Sequence, residues 1–109
     1  SVNGVTVIKS VLPISPEMAK DLVFKIRQAV PENLVCVLGS VNENKPMLSV
    51  MFTDDMVQSH SLNAGKIVRE AAKLIKGGGG GQPHYAQAGG KDPDGLSAAV
   101  DKVVELCNL

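Results

Sequence analysis

Lys76-Gly77-Gly78-Gly79-Gly80-Gly81-Gln82-Pro83-His84-Tyr85-Ala86-Gln87-Ala88-Gly89-Gly90-Lys91 is the stretch around which the rest of this 109-residue chain arranges itself. Glycine loses more backbone entropy on ordering than any other residue, so five in a row oppose folding unless geometry demands them. Two readings are open. The run is a flexible linker, as glycine-rich tethers are. Otherwise it is an ordered surface loop whose bare backbone another molecule approaches closely. The run is short, lacks serine and sits inside the chain, which favours the second reading.

Working outward, Asn63 can cap a helix that continues to Lys76, where the glycines end it. Ile67, Ala71 and Leu74, with Val68, Ala72 and Ile75, form its expected buried stripe. Lys66, Arg69, Lys73 and Lys76 are three, four and three apart and line another face. Downstream, Pro83 to Ala88 reads as a short extended segment. Asp92-Pro93 then opens a last helix with Leu96, Val100, Val103, Val104 and Cys107 on one face.

The first half is conventional. Val5 to Leu12 is a β-branched strand stopped by Pro13. Ser15-Pro16 caps a helix running to about Val30 and burying Ala19, Leu22, Val23, Ile26 and Val30. Leu34 to Leu38 reads as a central strand covered on both faces, turned through Asn42 to Lys45 into an antiparallel partner over Met47 to Thr53. Asp54 to Ser61 is polar, with room for one short turn of helix. The expected class is α/β (α+β): a mixed sheet with flanking helices, in the order β-α-β-β-α-β-α, forming one domain over residues 1–109.

Eleven basic side chains balance eleven acidic ones, whereas an autonomous nucleic-acid binder usually carries a basic excess. A local basic stripe is compatible with that balance. Cys36 and Cys107 lie on apolar faces with no CxxC or Cys/His cluster, so they read as core thiols in a reducing, cytoplasmic setting, without a metal. No apolar run reaches the length of a membrane span, and there is no signal peptide. The start at Ser1-Val2-Asn3, without methionine, suggests a piece excised from a longer protein.

Neither familiar phosphate motif fits. The P-loop pattern would need glycine at Tyr85 and a hydroxyl at Asp92, and the dinucleotide pattern would need glycine at Gln82. Both also place the glycines before a helix, at the positive end of its dipole, whereas here they follow one. No nucleophile–base pair is evident, so no catalytic residue is assigned. Asp54-Asp55 reads as a turn cap and His60 as a surface residue. Phe24 and Phe52 read as core, leaving Tyr85 as a lone aromatic, too few for base stacking along a single strand. His84 is either a simple exposed histidine or a residue that stacks on a base or donates to phosphate. What remains is a platform of backbone beside a basic stripe, suited to the shape and backbone of folded RNA: Lys66, Arg69, Lys73, Lys76, Gly77, Gly78, Gly79, Gly80, Gly81 and His84.

Asn63-Ala64-Gly65-Lys66-Ile67-Val68, the glycine run, and Pro83-x-x-Ala86-Gln87-Ala88-Gly89-Gly90-Lys91 together resemble the C-terminal domain of alanyl-tRNA synthetases. That domain belongs with the DHH-associated domains that follow the catalytic half of DHH phosphoesterases. The resemblance implies a non-catalytic module that docks on the tRNA elbow, ties aminoacylation and editing modules to one tRNA(Ala), and can assist homodimerisation. It implies a parent that is a class II alanine–tRNA ligase. The parent's ATP, magnesium and zinc would be held upstream, with no cofactor in this part. The family often has a basic residue between glycines and proline, where this chain has Gln82; the resemblance thus places Gln82 and Lys91 in the tRNA contact and shifts its electrostatic weight to Lys76, Lys91 and the backbone. The two alternatives are the substrate-clamping half of a phosphoesterase or nuclease, and an oligomerisation module built on the apolar last helix near Leu106 and Leu109.

Overall fold

The computed structural model describes residues 4–107, the side chain of Pro16 apart, so Ser1-Val2-Asn3 and Leu109 lie outside the described residues. Strand β1 (Thr6–Leu12) leads into α1 (Pro16–Ala29), where the Ser15 hydroxyl accepts from the Met18 amide at 3.3 Å and caps the helix. Strands β2 (Leu34–Asn42) and β3 (Lys45–Phe52) form the expected hairpin. Its two turn residues, Glu43 (φ 54°) and Asn44 (φ 61°), are both left-handed, as a two-residue turn matched to strand twist requires. The short α2 (Asp54–Ser59) and then α3 (Ala64–Ala72) follow, with the Asn63 carboxamide oxygen accepting from the Lys66 amide at 3.1 Å. A 3-10 turn over Lys73–Ile75 extends α3. The last hairpin is β4 (Gly78–Gly81) and β5 (Tyr85–Gly89), and α4 (Leu96–Leu106) closes the chain.

The sheet runs β1-β2-β3-β5-β4, parallel between β1 and β2 and antiparallel elsewhere. The mixed sheet with flanking helices stands as expected, with one correction. The glycine run is no loop: it is an edge strand paired with β5, so the order gains a strand as well as the short helix α2. Sequence periodicity could not show this, because glycine has no side chain to alternate.

Period-two alternation splits the core. Leu34, Cys36, Leu38 and Met51 meet Val23 of α1 on one face. Val35, Val37, Leu48, Val50 and Phe52 meet α2, α3 and α4 on the other. Burial pushes the Cys36 thiol up to about 12 and Cys107 up to about 11, so both stay protonated and inert near neutrality. Two assignments change. Leu74 is exposed because α3 tightens into its 3-10 turn before that position. Phe24 is exposed at the edge of α1, its ring 5.6 Å from that of Tyr85. Asp55 does cap, accepting from the Asn33 amide at 2.9 Å, and the Thr53 hydroxyl holds its carboxyl below the ordinary carboxylate range. His60 is exposed, as expected.

Helix α1 covers β2 and β3 and meets β5 at Tyr85, where the Phe24 ring packs on the Tyr85 ring. Beyond Tyr85 that face of the sheet has no helix over it.

Candidate nucleic-acid interface

The glycines divide into two sets. Gly77, Gly79 and Gly81 pack so closely on β5 and its continuation that a Cβ would strike backbone: Gly89, Gln87 and Tyr85 carbonyls respectively. Gly81 also sits at φ 155°, a region that side chains rarely adopt. Gly78 and Gly80 differ. A Cβ at Gly78 would meet nothing within 4 Å, and one at Gly80 would touch only the Arg69 guanidinium, at 3.5 Å. Gly89, paired opposite Gly78, is equally open.

Residues opposite one another in a sheet share a face. Gly78 pairs with Gly89 and Gly80 with Gln87, so these residues lie on the face that α1 leaves bare. Gly79 and Gly81 share the other face with Ala88 and Ala86, which pack under α3. The result is a flat patch of backbone with one polar side chain, Gln87, whose carboxamide donates to the Ser49 hydroxyl at 3.4 Å.

The hairpin pattern also fixes the free edge. Gln82 and Tyr85 exchange backbone bonds of 2.9 and 3.3 Å, and bonded and non-bonded pairs then alternate along the ladder. Gly78 and Gly80 therefore point their N–H and C=O groups inward at β5. Gly79 and Gly81 point theirs outward; Gly79 lies along the free edge, whereas the Gly81 carbonyl packs against Gly65 of α3, where a Cβ would come within 2.9 Å of it.

The other expected residues surround this strand. Lys66, Arg69 and Lys73 are exposed on α3, on the far side of the sheet. Arg69 reaches round the free edge to Gly80, whereas Lys73 lies 3.3 Å from the Glu70 carboxylate and is partly neutralised. Gln82 and His84 stand at the β4–β5 turn, lining a shallow hollow with Gly80, Gly81, Tyr85, Ala86 and Gln87. Tyr85 is held beside Phe24, its hydroxyl buried without a hydrogen bond among the described residues, and burial raises its titration against a smaller opposing effect of the Gln87 side chain. Lys76 and Lys91 stand at the opposite end. The structure thus separates the expected single stripe into a helix-borne set and an end-of-strand set.

Lys76 shows what the sequence did not. The left-handed residue ending the helix is this lysine (φ 54°), not glycine. The Gly77 amide donates to the Ala72 carbonyl at 3.0 Å and the Lys76 amide to Lys73 at 3.2 Å, a Schellman closure with lysine at C′. A side chain there costs roughly 1 kcal/mol relative to glycine. Lys76→Gly is therefore expected to raise the thermal midpoint by about 4–8 °C, which calorimetry on the variant checks.

Among the described residues, no group of three or more His, Cys, Asp or Glu could hold a metal, and no helix is long and apolar enough to cross a membrane.

A five-stranded mixed sheet edged by a glycine strand matches a known class. The DHHA1 domain model matches residues 4–109, and the chain belongs to that family. More particularly, it is 56% identical over 108 residues to the alanine–tRNA ligase of Bacteroides fragilis, and 45% identical over 87 residues to that of Natranaerobius thermophilus. These alignments cover 99% and 80% of this chain but only 12% and 10% of those enzymes. Among solved structures, the C-Ala domain from Aquifex aeolicus alanyl-tRNA synthetase superposes with a TM-score of 0.85 at 29% identity, covering 100% of this chain and 96% of that one. RecJ from Thermus thermophilus, at a TM-score of 0.63 and 17% identity over 94% of this chain and 14% of that one, shares the fold alone.

Proposed function

We propose that this chain is a non-catalytic tRNA-binding module, the C-terminal domain of an alanine–tRNA ligase, docking on the elbow of tRNA(Ala). The observation that carries this reading is the bare face of β4 and β5, which admits an RNA backbone where any side chain would stand in the way, with lysines at its end and Arg69 at its edge. Likeness to alanine–tRNA ligases at 56% identity supports the synthetase reading over the phosphoesterase one, for which the DHHA1 family match and a shared fold at 17% identity speak. The site residues are Lys66, Arg69, Lys73, Lys76, Gly77 to Gly81, Gln82, His84 and Lys91, with backbone contact centred on Gly78 and Gly80.

In this proposal residues 1–109 act as one unit within a cytoplasmic parent. The ligase chemistry with its ATP and magnesium, the editing of mischarged tRNA and the zinc belong to other parts of that parent. A tethered module needs little affinity of its own, because a short flexible linker supplies an effective concentration of about millimolar. That fits a chain of zero formal net charge. On the last helix, which motivated the self-association alternative, Leu96, Val100 and Val103 are buried and Leu106 is half-buried against the core, while Leu109 lies outside the described residues.

The test is a titration of this chain against tRNA(Ala) and against an RNA hairpin of equal length lacking the elbow. About tenfold tighter binding to tRNA is expected, in line with a difference of roughly 1.4 kcal/mol. Equal affinities would remove the elbow from the proposal.

A further inference from the structure

A cavity of about 550 Å³ opens where the bare face meets the β2–β3 turn. Lys45, Lys76 and Lys91 line it, with Gly77, Gly89 and Gly90 as backbone walls and Pro46 and Met47 as an apolar floor. Pro46 is buried and Met47 half-buried, whereas all three lysines are exposed and none has an ion pair among the described residues. Glu43 is the single carboxylate on the rim. The cavity is held open by close backbone approaches. The Gly90 amide donates to the Pro46 carbonyl at 3.1 Å, and Ile75 accepts from the amides of Lys91 (2.8 Å) and Asp92 (3.0 Å). A Cβ at Gly90 would strike the Ile75 carbonyl.

Three lysines around a hollow that Met47 and Pro46 also line suit a ligand that is anionic on one side and flat and apolar on the other. The volume lies within the range of small-molecule sites. A nucleotide has that character: phosphate for the amines, base face for Met47 and Pro46. We infer that this cavity seats one unstacked, phosphate-bearing nucleotide of the RNA that lies on the glycine face, and that Lys45 is a contact residue for it. The inference rests on the RNA-binding reading above, since Gly89 joins the cavity to the bare face and brings its mouth onto the same RNA. It adds a subsite on the far hairpin, 31 residues before Lys76 in sequence.

The experiment titrates this chain, as wild type, Lys45→Ala, Gly78→Val and Lys20→Ala, against labelled tRNA over a range of salt. Lys20 is exposed on α1 and controls for loss of charge alone. Lys45→Ala is expected to weaken tRNA binding about fivefold at 0.1 M salt and reduce the salt slope by about 0.7–0.9. Lys20→Ala should leave both within error. If Lys45→Ala behaves like Lys20→Ala while Gly78→Val still weakens binding, the subsite is overturned and the bare-face reading stands. If neither Lys45→Ala nor Gly78→Val matters, both fall. In a second arm, AMP and inorganic phosphate are added to the 15N-labelled chain. AMP should move the Gly77, Gly89 and Gly90 amide signals more than phosphate does at equal concentration. Equal shifts would overturn the base-seating part. AMP binding that depends on Lys45, alongside tRNA binding that does not, would overturn the RNA-borne form in favour of a free nucleotide.

Discussion

Gly79→Ala should lower the thermal midpoint by about 10–20 °C, while Gly80→Ala, one residue on, leaves it unchanged or slightly raised. A Cβ at Gly79 would overlap the Gln87 carbonyl oxygen and lie 2.8 Å from the Ala88 Cβ. Neither can move away: the first belongs to a paired strand and the second is packed beneath α3. Overpacking of this kind costs about 2–3 kcal/mol, and each kcal/mol is worth roughly 4–8 °C in a domain of this size. At Gly80 the nearest group is the mobile Arg69 guanidinium at ordinary contact distance. There alanine mainly restricts the unfolded chain, a gain of about 0.4–1 kcal/mol. Calorimetry on the two variants checks the pair, and midpoints within 2 °C of each other would mean that β4 does not pair as described. Gly78→Val takes the logic further. Valine favours a strand and meets nothing there, so the fold should hold. A molecule lying on the bare face would meet both methyls, and RNA binding should fall by about tenfold or more for a clash of 1–3 kcal/mol.

That contrast explains how much the sequence could reveal. Elements with side-chain signals were legible, because their causes are local. Ser15-Pro16 starts α1, Asn63 starts α3, and the turn at Glu43-Asn44 joins β2 to β3. The five glycines carry no such signal, and their strand exists only through pairing with Tyr85 to Gly89 and close packing on its backbone. The need for glycine at Gly79 lies in the Gln87 carbonyl, on another strand. A long-range contact of that kind leaves no periodicity in one sequence. Lys76 was missed for the opposite reason: with glycine next in line, no local rule puts lysine at the left-handed position. Of the candidate site, the residue list was readable. Its division into an open face, a free edge and a lysine-lined end was not, since that depends on which strand face α1 fails to cover. Lys45 stood outside the list because sequence places it in a turn far from the glycines, and only the β3–β5 pairing brings the two together.

The affinity for tRNA should fall about sixtyfold between 50 and 200 mM salt. A protein that neutralises Z phosphates loses affinity with a log–log slope of about −0.7Z to −0.9Z. Four contacts then give a slope of roughly −3, and a fourfold rise in salt raised to that power gives the sixtyfold loss. The structure ranks the contributors. Lys66 and Arg69 have no carboxylate partner among the described residues, and Arg69 stands at the free edge of β4. Lys73 shares its charge with Glu70 at 3.3 Å. Arg69→Ala should therefore flatten the slope by about 0.7–0.9, and Lys73→Ala by clearly less. Glu70→Gln frees Lys73 and should steepen the slope instead. A surface pair of this kind contributes only about 0–1 kcal/mol to stability, so Glu70→Gln leaves the fold intact and reads out the charge alone. A slope near zero would mean that the basic face of α3 is solvated and idle. A steep slope indifferent to Arg69 would move the RNA off the β4 edge and onto the lysine-lined end of the sheet.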